Sequence, residues 1–302
     1  MCEKEGIILK DNIINYLDEK YSKRLLRIKD FPDNLYYMGN VDLMNKSKIV
    51  AIVGSRECSE YGRSVAQNFA KELAKNDICI ISGLAKGIDT AAHIGAVYEK
   101  GNTIAVLGGG LKNIYPPEND WLFNLIKTKG GLILSEHSKE EKTELHNFPK
   151  RNRIISGMAD AVLVVEAVYR SGSTITAKYA KESNKKVFCI PGNIDSIRSV
   201  GTNRLIMEGA IMVTNPMQII KELYKGSNID ININQKTENI PTQYKEIYKQ
   251  LIKEELTSDE LSRILNLNIN QINSVLTMME IEGYIKRQSG NVFVIKGKEN
   301  GL

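Results

Sequence analysis

The sequence predicts an α/β protein: an extended, Rossmann-like, doubly wound parallel sheet with a small C-terminal winged-helix domain. Three observations carry this. First, short apolar runs recur at Ile49–Val53, Ile78–Ile81, Thr103–Leu107, Leu132–Leu134, Ala161–Val165, Val187–Ile190 and Ala210–Val213. Continuous apolar strands of this length belong to a parallel sheet buried on both faces. Second, amphipathic stretches separate them. Val65, Phe69 and Leu73 fall at helical spacing within Ser64–Lys75, and Ala91–Tyr98 and Thr174–Glu182 read the same way. Third, beyond residue 241 the pattern changes to three helices and a hairpin in about 55 residues, which is a winged helix-turn-helix.

Taken in order, residues 1–44 read as a short, partly helical lead-in, and residues 45–225 as the α/β domain. Residues 226–241 are rich in Asn, Asp, Ser and Gln and read as a linker, although Ile229, Ile231 and Ile233 alternate as a strand would. Residues 242–297 form the winged-helix domain. Its helices are expected at Tyr244–Lys253, from a cap near Ser258, and at Ile269–Glu282. The wing is Tyr284–Lys296, turning at Ser289-Gly290-Asn291.

Composition narrows the function. Of 302 residues, 42% are apolar and 25% charged, as in soluble globular proteins. No apolar run approaches a membrane span, and no signal-peptide core follows the charged start Met1–Glu5. The four cysteines are scattered without a CxxC pair, and the three histidines are dispersed. Neither metal nor cofactor is therefore expected, and a reducing cytoplasm is. The net charge is +5. From Ser227 onward nine Lys/Arg face ten Asp/Glu, so the positive excess lies in the first three quarters, where an anionic partner is expected.

The strand ends carry the candidate chemistry. In an open parallel sheet ligands bind beyond the carboxyl ends of the strands. Here those ends read Gly54-Ser55-Arg56, Ser82-Gly83-Leu84-Ala85-Lys86-Gly87, Gly108-Gly109-Gly110, Ser135-Glu136, Glu166-Ala167 and Pro191-Gly192-Asn193. Glycine lets a ligand approach the backbone and leaves N–H groups free to meet an anion. Each glycine has a plainer reading as a tight turn, but so many along one edge suit a chain of phosphates. GxxxxGK[ST] is missing and the first turn, GSRECSEYG, is not GxGxxG, so neither a P-loop ATPase nor a dinucleotide site is supported.

Two further segments stand out. In His146–Arg153 (HNFPKRNR), Arg151 and Arg153 offer planar forks for phosphate, Asn152 lies between them, and Phe148 offers a face for a base. The plainer reading puts Phe148 in the core and the cations on a solvated helix start. In Arg170–Thr176, Ser171, Gly172 and Ser173 open a helix and suit either capping or anion binding. Glu136, Glu166, Asp89 and His93 lie near strand ends, and a carboxylate pair there could hydrolyse a glycosidic bond. No Ser-His-Asp order stands out, so the reading is non-enzymatic. The alternative is a nucleotide-processing enzyme of the nucleoside-monophosphate ribohydrolase kind.

These segments together resemble the DprA/Smf family of DNA-processing proteins, from about Phe31 to Thr214. The resemblance is carried by VGSRECSEYG, SGLAKGIDTAAHIGA, TIAVLGGGLKNIYPPEN, LILSEHS, FPKRNRIISGMADAVLVVEA, SGSTITAKYA, CIPGN and GTNRLIMEGA. It implies binding and protection of single-stranded DNA, loading of the RecA recombinase in transformation and recombination, and a homodimer through the Rossmann domain. It places the ligand at Gly54, Arg56, Gly83, Gly108, Gly109, Gly110, Phe148, Arg151 and Arg153, with Lys178 and Arg204 as further phosphate contacts. Ser55, Ser82, Lys86 and Gly87 complete the expected set. The helical domain that precedes the Rossmann part in many members is expected to be truncated or absent here. The third helix of the winged-helix domain (INQINSVLTMMEIEG) has no Lys or Arg, so a protein contact is expected of it rather than duplex reading.

Overall fold

The computed structural model describes residues 12–225 and 240–295. The chain divides into two compact units, Met1–Lys225 and Gly226–Leu302. The expected linker falls almost wholly outside the described residues.

The first unit is built on one sheet of nine strands: β1 (Ile13–Asn15), β2 (Asn34–Gly39), β3 (Ile49–Val53), β4 (Cys79–Ser82), β5 (Thr103–Leu107), β6 (Leu132–Ser135), β7 (Ala161–Val164), β8 (Lys186–Cys189) and β9 (Ile211–Met212). Their spatial order is β1-β2-β6-β5-β4-β3-β7-β8-β9. All pairings from β6 to β9 are parallel. Each apolar run of the sequence supplies one of these strands, and β3 to β7 are buried along their whole length.

Among the described residues the α-helices of this unit are α1 (Glu60–Lys75), α2 (Ile88–Val97), α3 (Asp120–Thr128), α4 (Asn147–Met158), α5 (Gly172–Glu182), α6 (Val200–Met207) and α7 (Pro216–Leu223). They cover both faces of the sheet, as buried parallel strands require. Alternate residues show the two sides. Ala51, Ile81, Val106 and Leu134 pack with Ile154 and Ile155 of α4 and Ala177 and Ala180 of α5. Ala105, Leu107 and Ile133 pack against Leu122, Phe123 and Ile126 of α3.

One expectation is corrected. Residues 12–44, expected as a partly helical lead-in beside the domain, contribute two strands to its sheet. β2 pairs antiparallel with β6, and β1 with β2, through Tyr36↔Ser135 and Ile13↔Tyr36 among others. Leu25, Leu35 and Met44 of this segment are buried in the main core, which explains its place. Neither strand of the pair alternates in sequence, β1 reading IIN and β2 NLYYMG, so the pair gives little periodic signal.

The topology positions the site. From the central β3, strands β4 to β6 extend one way and β7 to β9 the other. The order therefore reverses between β3 and β7, and the crevice beyond their carboxyl ends is the expected ligand position of such a sheet.

The second unit holds α8 (Lys245–Lys253), β10 (Leu256–Thr257), α9 (Ser258–Leu265), α10 (Ile269–Ile281), β11 (Ile285–Gln288) and β12 (Val292–Ile295). Its sheet runs β10-β12-β11, antiparallel throughout. Thr257 and Glu260 form a reciprocal capping box that starts α9. Leu261, Ile272, Leu276, Met279 and Phe293 fill its core. This is the expected winged helix with one short strand, β10, added.

Candidate nucleic-acid interface

A cavity of about 560 Å³ opens in the crevice between β3 and β7. Nine of the sequence-predicted residues line it: Gly54, Ser55, Arg56, Phe148, Arg151, Asn152, Ser171, Gly172 and Ser173. They come from the loop after β3, the first turns of α4 and the start of α5.

The mouth is made by Arg56 and Phe148. The exposed Arg56 guanidinium sits 4.8 Å from the centre of the Phe148 ring. Tyr115 packs on the same ring at 5.5 Å between centroids, tilted by 42°. Gly108 lies beneath it, so close that a Cβ there would touch the ring. Phe148 is thus neither a free stacking face nor a core residue: it is a half-buried platform with the Arg56 guanidinium over its ring. An arginine so placed is pre-organised for a phosphate, and its plane can stack on a base.

One wall is the N-terminus of α5. Ser171, its N-cap, makes no side-chain bond to the helix backbone, and its hydroxyl instead lies 2.8 Å from that of Ser173. The first N–H groups of a helix have no partner within it and carry its partial positive charge, so this end suits an anion. Asn152 braces the turn by donating to the Gly172 carbonyl at 3.1 Å.

The floor is Arg151, and here the expectation changes. Its guanidinium is buried and donates to the carbonyls of Gly83, at 2.7 Å, and Val106. Burial pulls it down to about 10, against the pull of Asp89. Asp89, also buried, accepts from the N–H groups of Gly83 (3.1 Å) and Ala85 (3.4 Å). Burial raises its carboxyl above the usual range, while Arg151 and these N–H groups oppose that. Arg151 and Asp89 therefore tie the ends of β4 and β5 together. Gly83 is glycine because a Cβ would collide with the Arg151 guanidinium.

Other expected contacts are occupied by the chain itself. The N–H of Ser55 bonds the Glu166 carbonyl (2.8 Å) and that of Gly110 the Glu141 carbonyl (2.9 Å). Gly109 and Gly110 lie against Thr143 and the Ser138 carbonyl, and Ser82 donates to the Ile52 carbonyl. Gly87, with φ of 77°, abuts the Ser55 and Arg56 carbonyls. Lys86 pairs with Glu118 at 2.6 Å. Arg153 is nearly buried between Glu136 (2.6 Å) and Asp30 (3.2 Å), away from the cavity lining. Lys178 and Arg204 line a second cavity. The row of strand-end sites thus contracts to one crevice.

The carboxylates and histidine also receive positions. Glu166 accepts from the Ser59 N–H (2.8 Å) and hydroxyl (2.5 Å) at the start of α1. Glu136 holds Arg153. His93 is buried, its Nδ1 at 2.7 Å from the Thr103 hydroxyl, and burial lowers it to about 3, so it stays neutral. Sequence reasoning missed Tyr115 as a wall of the platform, and Leu145, Ile155 and Val168 as lining. The available signal for Tyr115 was an aromatic residue directly before Pro116-Pro117 in the segment after β5.

Comparison with known proteins places this arrangement. The family model for DNA recombination-mediator protein A matches residues 12–224, and the DprA winged helix domain matches residues 234–291. The DNA processing protein DprA of Streptococcus pneumoniae is 45% identical over 206 residues, covering 68% of this chain and 72% of that protein. Protein Smf of Escherichia coli is 42% identical over 208 residues, which is 69% of this chain but 55% of that protein. The X-ray structure of the S. pneumoniae protein superposes with a TM-score of 0.67 at 43% identity, covering 71% of this chain and 75% of that one. A structure of DNA processing protein A from Helicobacter pylori, described for its single-stranded DNA binding mode, gives 0.64 at 31% identity over 71% of this chain and 97% of that one. With two matched domains in order over most of its length, the chain belongs to the DNA recombination-mediator protein A (DprA) family.

Proposed function

We propose that the crevice between β3 and β7 binds single-stranded DNA. A phosphate sits between Arg56 and the N-terminus of α5, and a base lies against the Arg56–Phe148 stack. The observation that carries this is the exposed Arg56 guanidinium 4.8 Å from the centre of the Phe148 ring, both residues lining the cavity. The described DNA-binding mode of the H. pylori relative supports the same ligand. On family grounds we further propose that the chain protects such strands, loads a RecA-type recombinase onto them in the cytoplasm, and acts as a homodimer. The β9 edge suits self-association: it ends the sheet, and Met207, Ile211 and Met212 there are exposed.

The role is binding without catalysis. Against the competing nucleotide-hydrolase reading, two carboxylates line the cavity, Glu57 and Asp89, and Asp89 is buried and held by the Gly83 and Ala85 N–H groups, while Glu166 is engaged at the α1 cap and Glu136 with Arg153. The test is the affinity for oligo-dT across a salt titration, followed by fluorescence anisotropy. Arg56→Ala is expected to weaken binding by about tenfold and to shallow the salt slope by about one phosphate contact. Equal affinity in the variant and the parent would overturn the assignment.

A further inference from the structure

A second cavity, of about 250 Å³, lies between α5 and α6 and includes Tyr169, Arg170, Thr174, Lys178, Arg204 and Glu208 in its lining. The first turn of α5 separates the two cavities. Ser171, Gly172 and Ser173 face the first, whereas Arg170 and Thr174 face the second. The linings of the two cavities thus share the segment 170–174.

Its chemistry resembles that of the first. The half-exposed Tyr169 ring carries two guanidinium groups, Arg170 at 5.1 Å and Arg204 at 4.7 Å from its centre. Arg204 is held by Glu208 at 2.7 Å, and Lys181 lies 3.8 Å from the same carboxylate. Lys178 is exposed and lies 3.8 Å from Glu182. Four cations thus face two carboxylates. Arg170 has no ion-pair partner among the described residues, and a long, exposed pair such as Lys178–Glu182 contributes little. Cations gathered with too few carboxylates repel one another, and a bound anion relieves that repulsion.

We propose that this cavity is a second phosphodiester subsite for the same strand, with Arg170 and Lys178 meeting phosphates and the Tyr169–guanidinium stack meeting a base. The inference rests on the single-stranded DNA reading of the first cavity. Its test uses the full chain and an oligo-dT length series spanning about 3 to 12 nucleotides, within the range of single-strand site sizes. Arg170→Ala/Lys178→Ala is expected to bind the shortest oligomers like the parent, which also shows that it is folded. It should bind the longer ones about three- to tenfold more weakly, with a salt slope shallower by about two contacts. Arg56→Ala serves as the control and weakens every length.

Parental affinity of the double variant for long oligomers, or an equal loss at all lengths, overturns the second subsite and leaves the first standing. A mononucleotide that binds there without competing with any oligomer also overturns it, in favour of a separate nucleotide site. Failure of Arg56→Ala to weaken any length overturns the first-cavity reading instead.

Discussion

Arg151 and Arg153 stand two residues apart on α4, and neither reaches out to solvent as a phosphate contact would. Arg151 ties β4 to β5 through the Gly83 and Val106 carbonyls, and Arg153 bridges Asp30 and Glu136. Removing a buried charge leaves its partners unsatisfied, and losses of about 3–5 kcal/mol are usual. Arg151→Met is therefore expected to lower the thermal midpoint strongly, whereas an Arg151 that served only as a ligand contact would leave the melting curve unmoved. His93 gives a pH prediction. Its unfolded imidazole takes up a proton near its ordinary value of 6.5, but the folded one only near 3. Between these values the unfolded state binds more protons, so stability falls as the pH drops below 6.5, by about 2 kcal/mol at about pH 5 from this group alone. Urea unfolding at neutral and acidic pH should show a shallower acid loss in His93→Gln. An identical acid loss in variant and parent would assign the effect to other groups.

At the scale of elements, two helix starts on neighbouring strands are finished differently. At α1, Ser59 accepts from the Gly62 N–H at 3.0 Å, and Glu166 in turn accepts from Ser59. At α5, no side chain caps the first turn. The capped start is closed to an anion, and the uncapped one faces the cavity. The sheet's two edges differ as well. One ends in the short antiparallel pair β1–β2, whereas the other ends in the two-residue β9 with exposed Ile211 and Met212. If β9 is the self-association edge, a charge placed on it should prevent pairing. Met212→Glu is expected to yield a monomer in size-exclusion chromatography with light scattering, with binding of short oligo-dT retained. A dimer that survives the substitution would place the interface elsewhere.

For the whole molecule, charge and shape agree on where an anion goes. The positive excess lies before Ser227, and so does the crevice at the reversal of strand order. The helix α10 of the second unit contains no Lys or Arg, which leaves it without the cations that hold a recognition helix to a duplex. Residues 1–225 form a compact unit of their own. They are expected to retain the affinity of the full chain for oligo-dT within about threefold, as the cations proposed to meet the phosphates all lie within them. Direct comparison of the two proteins at one salt concentration checks this. A loss of about a hundredfold would bring the winged helix into the site.

The sequence by itself determined the parallel sheet, the winged helix and the family, because those depend on local patterning. A short run of β-branched and apolar residues such as Ile49–Val53, ended by a glycine, favours a buried strand, and a motif keeps its residues in order along the chain. Only the tertiary structure decided which glycines and cations line the cavity. Gly83, Gly109 and Gly110 look alike in sequence, yet each is glycine because another part of the chain, Arg151 or the segment 138–143, approaches it closely. Arg151 and Arg153 look like phosphate forks, yet their partners come from residues far away in sequence. Close approach and charge pairing are long-range properties, and no window of sequence contains both partners. The same holds for the platform at the mouth of the cavity, where Arg56, Tyr115 and Phe148 meet only once the sheet is wound.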